Sequence, residues 1–452
     1  METIIIILFV LGYAAIALEH KLKIDKLIPA LIMMAILWAI IAISHLPVYE
    51  IVEGVGKEEH HLEGVLVHHL GKTAEILFFL MGAMTIVEII DYFDGFSTIK
   101  SFIKTKNKVR LLWLFTSLGF VLSAVIDNLT ATIVLITIIQ KIIKDKETRL
   151  WMAGLIVIAT NAGGAWSPIG DVTTTMLWIA NKVTAAILIE HVLLPSIVCF
   201  VLPTLIASRL SVFKGSITDE ITEIETKSKY GNIMFYLGLS AILFVPLFKT
   251  LTHLPPYVGM MLSLAVVAAF AEYFSNRQLK ITSYSDSSIK AAHHSPLHKS
   301  LSKIEMPSIL FFLGILLAVA ALESLGMLYD FAGILEANVP RLGTELHSTK
   351  ISDLVVLLLG IGSAIIDNVP LVAASIGMFQ VGTDEPAWHF IAYAAGTGGS
   401  MLIIGSAAGV VAMGLEKIDF FWYLKKIGWL ALVGFLAGAA VFVLLRNFVL
   451  NT

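Results

Sequence analysis

Two stretches, Ser123-Ala124-Val125-Ile126-Asp127-Asn128 and Ser363-Ala364-Ile365-Ile366-Asp367-Asn368, each set a carboxylate and an amide inside an apolar run, over 111–140 and 351–380. A carboxylate at the centre of a bilayer helix costs about 2.5–3.5 kcal/mol even on the mild insertion scale. A chain that meets this cost twice, between the same flanking residues, is expected to use both sites. The backbone is constrained as well. Non-helical chain at that depth is tolerated only where protein buries it or where it lines a cavity.

The surrounding composition fits a polytopic membrane protein. Of the 452 residues 57% are hydrophobic and 14% charged, and the mean hydropathy is +0.87; soluble domains carry about 25% charged residues. A net charge of −3 without a large basic face argues against nucleic acid as a partner. Cys199 stands alone inside a predicted span, so no intrachain disulfide is possible. The first apolar run, from Ile4, lacks a basic leader and a small-residue cleavage site and is expected to be a retained span.

Apolar runs predict spans at 4–19, 27–45 and 75–93. The loop 46–74 between the last two is acidic and rich in His (His60, His61, His68, His69). Lys21, Lys23 and Lys26 make the loop after the first span basic, and Lys100, Lys104, Lys106, Lys108 and Arg110 do the same after the third. The positive-inside rule therefore puts these two loops in the cytoplasm, and the N-terminus and the His-rich loop outside. The apolar run 111–140 is followed by another basic loop, with Lys141, Lys144, Lys146 and Arg149. A re-entrant hairpin with Asp127-Asn128 near its tip keeps both flanking loops inside. The span over 151–182 is expected to break at Asn161–Asp171, where Gly163, Gly164, Pro168 and Gly170 oppose a continuous helix. A span at 184–208 closes the first half, 1–208, and a charged linker, 209–232, leads to the second, 233–452.

The second half repeats the order. Spans are expected at 233–250, 257–274 and 307–329, with a polar cytoplasmic loop at 275–305. A hairpin over 351–380 and a broken helix over 387–412 follow, then an amphipathic stretch, Ile418–Lys426, and a last span at 427–446. Ile309-Leu310-Phe311-Phe312-Leu313 matches Ile76-Leu77-Phe78-Phe79-Leu80, and Gly398, Gly399 and Gly405 match Gly163, Gly164 and Gly170. Counting crossings, the hairpins open to opposite sides. The expected fold is all-α: two inverted repeats of five transmembrane helices, each with a re-entrant hairpin and a broken helix, and both chain ends outside.

Hairpin tips and helix breaks expose half-helix ends and carbonyls to a common cavity. Sodium is a hard cation that takes oxygen ligands. Ser123, Asp127, Asn128 and Thr130, with Asn161, Asp171, Thr173 and Thr174, offer such oxygens in the first half. Ser363, Asp367, Asn368, Thr397, Ser400 and Ser406 offer a poorer set in the second, with Pro370 near the place of Thr130 and Ser406 in the place of Asp171. If both bind, the first half is expected to bind more tightly. Burial raises a carboxyl pKa and a bound cation lowers it, so proton and sodium can exclude one another at Asp127, Asp171 or Asp367. Glu75, Glu88 and Glu323 are candidates for a proton relay. Asp127 and Asp367 also have a plainer role open to them, that of capping a half-helix at the hairpin tip, and the glycines that of close helix packing.

At these motifs the chain resembles the NhaD family of sodium/proton antiporters, within the ion transporter superfamily. SAVIDNLTATIV (123–134), NAGGAWSPIGDVTTTMLW (161–178), SAIIDNVP (363–370) and GTGGSMLIIG (396–405) stand in that family's order. The resemblance implies a dimerising scaffold part, a mobile transport part with two hairpins, and an elevator movement. It also implies that Ser123, Asp127, Asn128, Asn161, Asp171, Thr173, Thr174, Ser363, Asp367 and Asn368 match polar positions associated with transport. The His-rich loop is not part of that pattern. Dicarboxylate and citrate carriers of the superfamily carry Ser-Asn-Thr at the tips, where this chain has Asp127-Asn128-Leu129 and Asp367-Asn368-Val369.

The expected function is exchange of Na+, or Li+, for H+, with no enzyme activity and no cofactor beyond the transported ions. The expected partners are sodium, protons, the lipid bilayer and a second copy of the chain; the expected place is a bacterial inner membrane. Alternatives are an arsenite or organic-anion carrier, which the Asp tips oppose, a passive channel, and an intramembrane aspartyl protease built on Asp127 and Asp367, whose Tyr-Asp and Gly-x-Gly-Asp signatures are absent.

Overall fold

Long apolar stretches leave the backbone no partner but itself in a bilayer, and helices meet that demand. The computed structural model describes residues 1–17, 19–52, 56–100, 103, 105–217, 230–283, 295–340, 351–365 and 367–448. The first half contains α1 (Glu2–Ala17), α2 (Leu27–Ile43), α3 (Leu62–Tyr92), α4 (Lys108–Ile126), α5 (Asn128–Ile142), α6 (Lys146–Ala165), α7 (Val172–Ile179) and α8 (Ala185–Ala207). The second half contains α9 (Gly231–Thr252), α10 (Pro256–Ser283), α11 (Met306–Ser324), α12 (Met327–Asn338), α13 (Asp353–Gly362), α14 (Asn368–Met378), α15 (Pro386–Gly398), α16 (Ala407–Glu416) and α17 (Trp429–Phe448). Single-turn helices join some of them.

Among the described residues 7 helices are long and apolar enough to cross a membrane: α3, α4, α8, α9, α10, α11 and the stretch that ends in α17. The protein is an all-α polytopic membrane protein. The apolar α5, α13, α14 and α16 are shorter; a helix of ten residues reaches about 15 Å, half of a bilayer core of about 30 Å.

Local chemistry sets the ends. Asn107 caps α4 by accepting from the Arg110 amide at 3.0 Å, and Asp145 caps α6 by accepting from the Thr148 amide at 3.1 Å. Pro386 opens α15, where a missing N–H costs nothing. α6 is buried without a break from Trp151 to Ala165, and α15 from Ala387 to Gly398, so the two broken helices form the centre of the protein. Around them α4 packs along α6 and α13 along α15; α5 meets α16 and α14 meets α7. At the periphery α3 packs on α10, α2 on α11, and α8 along α17.

Several segments depart from the sequence reading; one is 275–283, expected as loop but part of α10. The stretch 46–74 is not a loop: β1 (Val48–Val52) and β2 (Gly56–His60) pair antiparallel, Val48 opposite His60, and α3 starts at once. Val65, His69, Thr73 and Ile76 recur at helical spacing and are buried, which carries the helix beyond the apolar run. The span expected at 307–329 stops at Ser324, because Gly326 takes the left-handed conformation (φ +69°) and α12 starts anew. The stretch 418–426 leads through a short helix, Phe420–Tyr423, and a π-helical turn, Leu424–Gly428, directly into α17. Residues 218–229 of the expected linker and 284–294 of the expected cytoplasmic loop lie outside the described residues.

Candidate cation site at the helix breaks

Asp127 is the single residue between α4 and α5, with φ +73° and ψ 160°. That region of backbone space belongs almost wholly to glycine and costs on the order of 1–3 kcal/mol elsewhere. The side chain helps to hold the bend. Its Oδ1 accepts from the Thr130 amide at 2.8 Å and its Oδ2 from the Thr130 hydroxyl at 2.9 Å, which caps α5. Asp367, at the head of α14, makes no such cap. It accepts instead from Lys26 Nζ at 3.4 Å. The sequence reading spent Lys26 on the charge of a surface loop.

In the chain between α6 and α7, Pro168 offers no N–H to continue the helix. The Ser167 hydroxyl donates to the Ala124 carbonyl at 2.6 Å and ties this segment to the end of α4. Asp171 then sits at the N-cap position of α7, 3% exposed, without using its side chain as a cap. Close approach explains two of the glycines. A Cβ on Gly163 would lie 2.2 Å from the Phe120 carbonyl oxygen, and one on Gly398 would lie 2.0 Å from that of Gly360. Only glycine lets α6 lie this close to α4, and α15 to α13. Beside these contacts the Ser123 hydroxyl donates to the Thr160 carbonyl at 2.5 Å, and the Ser363 hydroxyl donates to the Ala395 carbonyl at 2.7 Å.

Amides join the halves. Asn161 Nδ2 donates to Ser400 Oγ at 2.9 Å and to Ser406 Oγ at 2.8 Å, while its Oδ1 accepts from Asn128 Nδ2 at 3.0 Å. Asn368 Nδ2 donates to Asp171 Oδ2 at 2.8 Å. Each asparagine thus has its amide committed to the polar core, in a region where an unmade hydrogen bond is costly.

The outcome is a cavity of about 70 Å³ whose lining includes Asp127, Asn128, Asp171, Asp367, Asn368 and Lys26. Thr173 Oγ1 is buried beside the Asp171 carboxyl. A smaller cavity, about 50 Å³, reaches Asp367 from the other flank, between Tyr13, Glu19, Lys26 and Ser406. The three carboxylates do not converge on one point. Among the described residues no three acidic, His or Cys side chains are placed to share a metal ion, the outer His residues included.

The remaining candidates serve other contacts. The Thr174 hydroxyl donates to the Asp171 carbonyl at 2.9 Å, and the Thr397 hydroxyl donates to that of Tyr393 at 2.6 Å, both within helices. Glu75 and Glu323 line a separate cavity of about 670 Å³ with His68, His69, Lys72 and Gln380. Glu88 lies 3.8 Å from Lys303 Nζ, away from both. No sequence signal separates Lys26 from its neighbours Lys21 and Lys23; only its place directly before α2 sets it apart.

The CitMHS family, described as citrate transporter, matches residues 6–389. The chain is 40% identical to sodium/proton antiporter 1 of Arabidopsis thaliana over 98% of this chain and 72% of that protein. It is 39% identical to sodium/proton antiporter 2 of the same plant, over 98% and 99%. To the Na+/H+ antiporter NhaD of Vibrio cholerae it is 30% identical, over 98% and 91%. Among solved structures, that of the Alcanivorax borkumensis YdaH transporter is similar with a TM-score of 0.58 and 12% identity, over 94% of this chain and 98% of that one. At such identity the likeness concerns the fold alone.

Proposed function

The chain belongs to the NhaD-type Na+/H+ antiporters within the citrate-transporter family, and from that membership we propose that it exchanges Na+, and Li+ with it, for H+ across a membrane. One observation carries the reading: Asp127, Asp171 and Asp367, drawn from both halves, line one cavity of about 70 Å³ whose only described base is Lys26. That is space for about two waters, far below the roughly 300 Å³ at which small-molecule pockets begin. A largely dehydrated ion suits it. A citrate-sized anion meets neither the volume nor the charge it needs.

Asp171 is our choice for the shared carboxylate, with the buried Thr173 hydroxyl and the tip residues beside it. Desolvation favours the protonated carboxyl and a bound cation favours the ionised one. A carboxyl that holds either a proton or a sodium ion, never both, couples their opposite movement. We read the molecule as an inverted repeat. The matched Ser123 and Ser363 bonds and the matched Gly163 and Gly398 contacts support this, as do the paired packings of α5 with α16 and α7 with α14. In this reading α4–α7 and α13–α16 move as an elevator against the outer helices of a homodimer. Charge bias supports a reading in which both chain ends lie outside the membrane.

Proton flux in everted vesicles from a strain without its own antiporters tests the reading. Addition of Na+ is expected to collapse an imposed pH gradient, and Asp171→Asn and Asp127→Asn at wild-type expression are expected to lower the rate by about 100-fold or more, the scale for loss of a positioned proton-transferring group. No response to Na+ or Li+ at any pH would overturn it.

A further inference from the structure

We propose that Lys26 is a tethered cation that fills the Asp367 site whenever no transported ion is there, and so competes with sodium for that carboxylate. The inference rests on the exchange reading above and adds a specificity-determining residue to it.

The helix that Lys26 opens gives its side chain no partner. Lys26 stands at the N-terminal end of α2 and makes no cap bond, and a positive charge at that end of a helix is opposed by the helix dipole. Its ammonium is held instead by two distant groups, Asp367 Oδ2 at 3.4 Å and the face of Phe311, 4.5 Å from the ring centre. The side chains of Lys26 and Asp367 are 24% and 14% exposed, so solvent screens the pair only in part. Both residues line both small cavities, which also hold Asp127, Asp171, Tyr13 and Glu19.

The partners sit on different layers. Lys26 leads into α2, which packs on α1 and α11; Asp367 leads into α14, which packs on α7, α12 and α15 as well as on α11. The ion pair therefore adds to the packing of α14 on α11 a second link between the hairpin tip and the outer helices, and a sodium ion at Asp367 removes that link. The asymmetry between the halves follows. Asp127 is engaged by its own helix, through Thr130, and Asp367 by a mobile competitor.

Binding of 22Na+ to the purified full-length protein at one fixed pH tests this. Lys26→Met and Lys26→Gln are expected to bind sodium about tenfold more tightly than wild type, within the usual range for two ligands coupled through one site. Lys26→Arg, which keeps the charge, is expected to stay near wild type. In an Asp367→Asn background the Lys26→Met gain is expected to vanish. An unchanged or weaker affinity in folded Lys26→Met and Lys26→Gln overturns the proposal, since a merely structural lysine leaves the site no better when removed. A gain that persists in Asp367→Asn overturns it too. Absence of sodium binding in the wild type is a different failure: it removes the exchange reading, and the competition with it.

Discussion

Asp127 combines two demands that are normally kept apart. Its backbone takes a glycine's conformation, and its carboxylate caps α5 from inside the polar cavity. Replacement by glycine relieves strain of about 1–3 kcal/mol and loses only a few tenths of a kcal/mol of cap. Asp127→Gly is therefore expected to unfold in detergent at the same or a higher temperature than wild type while exchange is lost; a clear fall in unfolding temperature would refute the assignment of strain. At this scale the sequence was informative where a residue is out of place for its surroundings. Asp127, Asp171, Asp367 and the two asparagines stand out because the bilayer makes them expensive. Lys26 did not stand out, because a base between two apolar runs is what the positive-inside rule expects, and only the fold brings it to Asp367.

Elements break where glycine and proline stand, so the two helix breaks were legible; the bend at Asp127 has neither residue beside it and was legible from the basic loops on both sides of its apolar run. The glycines carry more than flexibility. Gly163 and Gly398 set how closely each broken helix lies on its neighbour, and a methyl group there points at a carbonyl oxygen of backbone that has little room to move. Gly163→Ala and Gly398→Ala are each expected to lower stability by about 1–3 kcal/mol or more, read as a fall in unfolding temperature, while Gly64→Ala, with open space around it, is expected to change little. The extension of α3 to Leu62 escaped the sequence reading because apolar run length reports the bilayer, whereas this part of the helix buries Val65 and His69 against protein. The end of α11 at Ser324 escaped it for the opposite reason. The run stays apolar past Gly326, and one left-handed residue is enough to stop the helix.

Across the whole molecule the halves meet in the core, through Asn161 and Asn368, and again at one end. There the Asp384 carboxylate accepts from the Thr184 amide at 2.6 Å, the Asp384 amide donates to the Lys182 carbonyl at 2.9 Å, and the Thr383 hydroxyl donates to the Asn181 carbonyl at 2.7 Å. Partial burial pushes the Asp384 carboxyl up, but hydrogen bonds from His389 and Thr184 outweigh it and hold the group below the usual carboxylate range. A carboxyl depressed in the folded state stabilises above its unfolded pKa of about 3.9 and loses that contribution as pH falls through the folded value. Asp384→Asn is expected to lower the unfolding temperature at neutral pH by about 1–3 °C, with the gap to wild type closing in acid below about pH 4; a gap that stays constant with pH would show the contact to be steric.

The central claim is that sodium and a proton exclude one another at the carboxylates between the halves. Addition of Na+ to the purified protein in weakly buffered detergent solution, followed with a pH indicator, tests it most directly. Release of protons on sodium addition, absent when choline replaces sodium and lost in Asp171→Asn, is the predicted result. Sodium binding without proton release across the pH range would contradict the account.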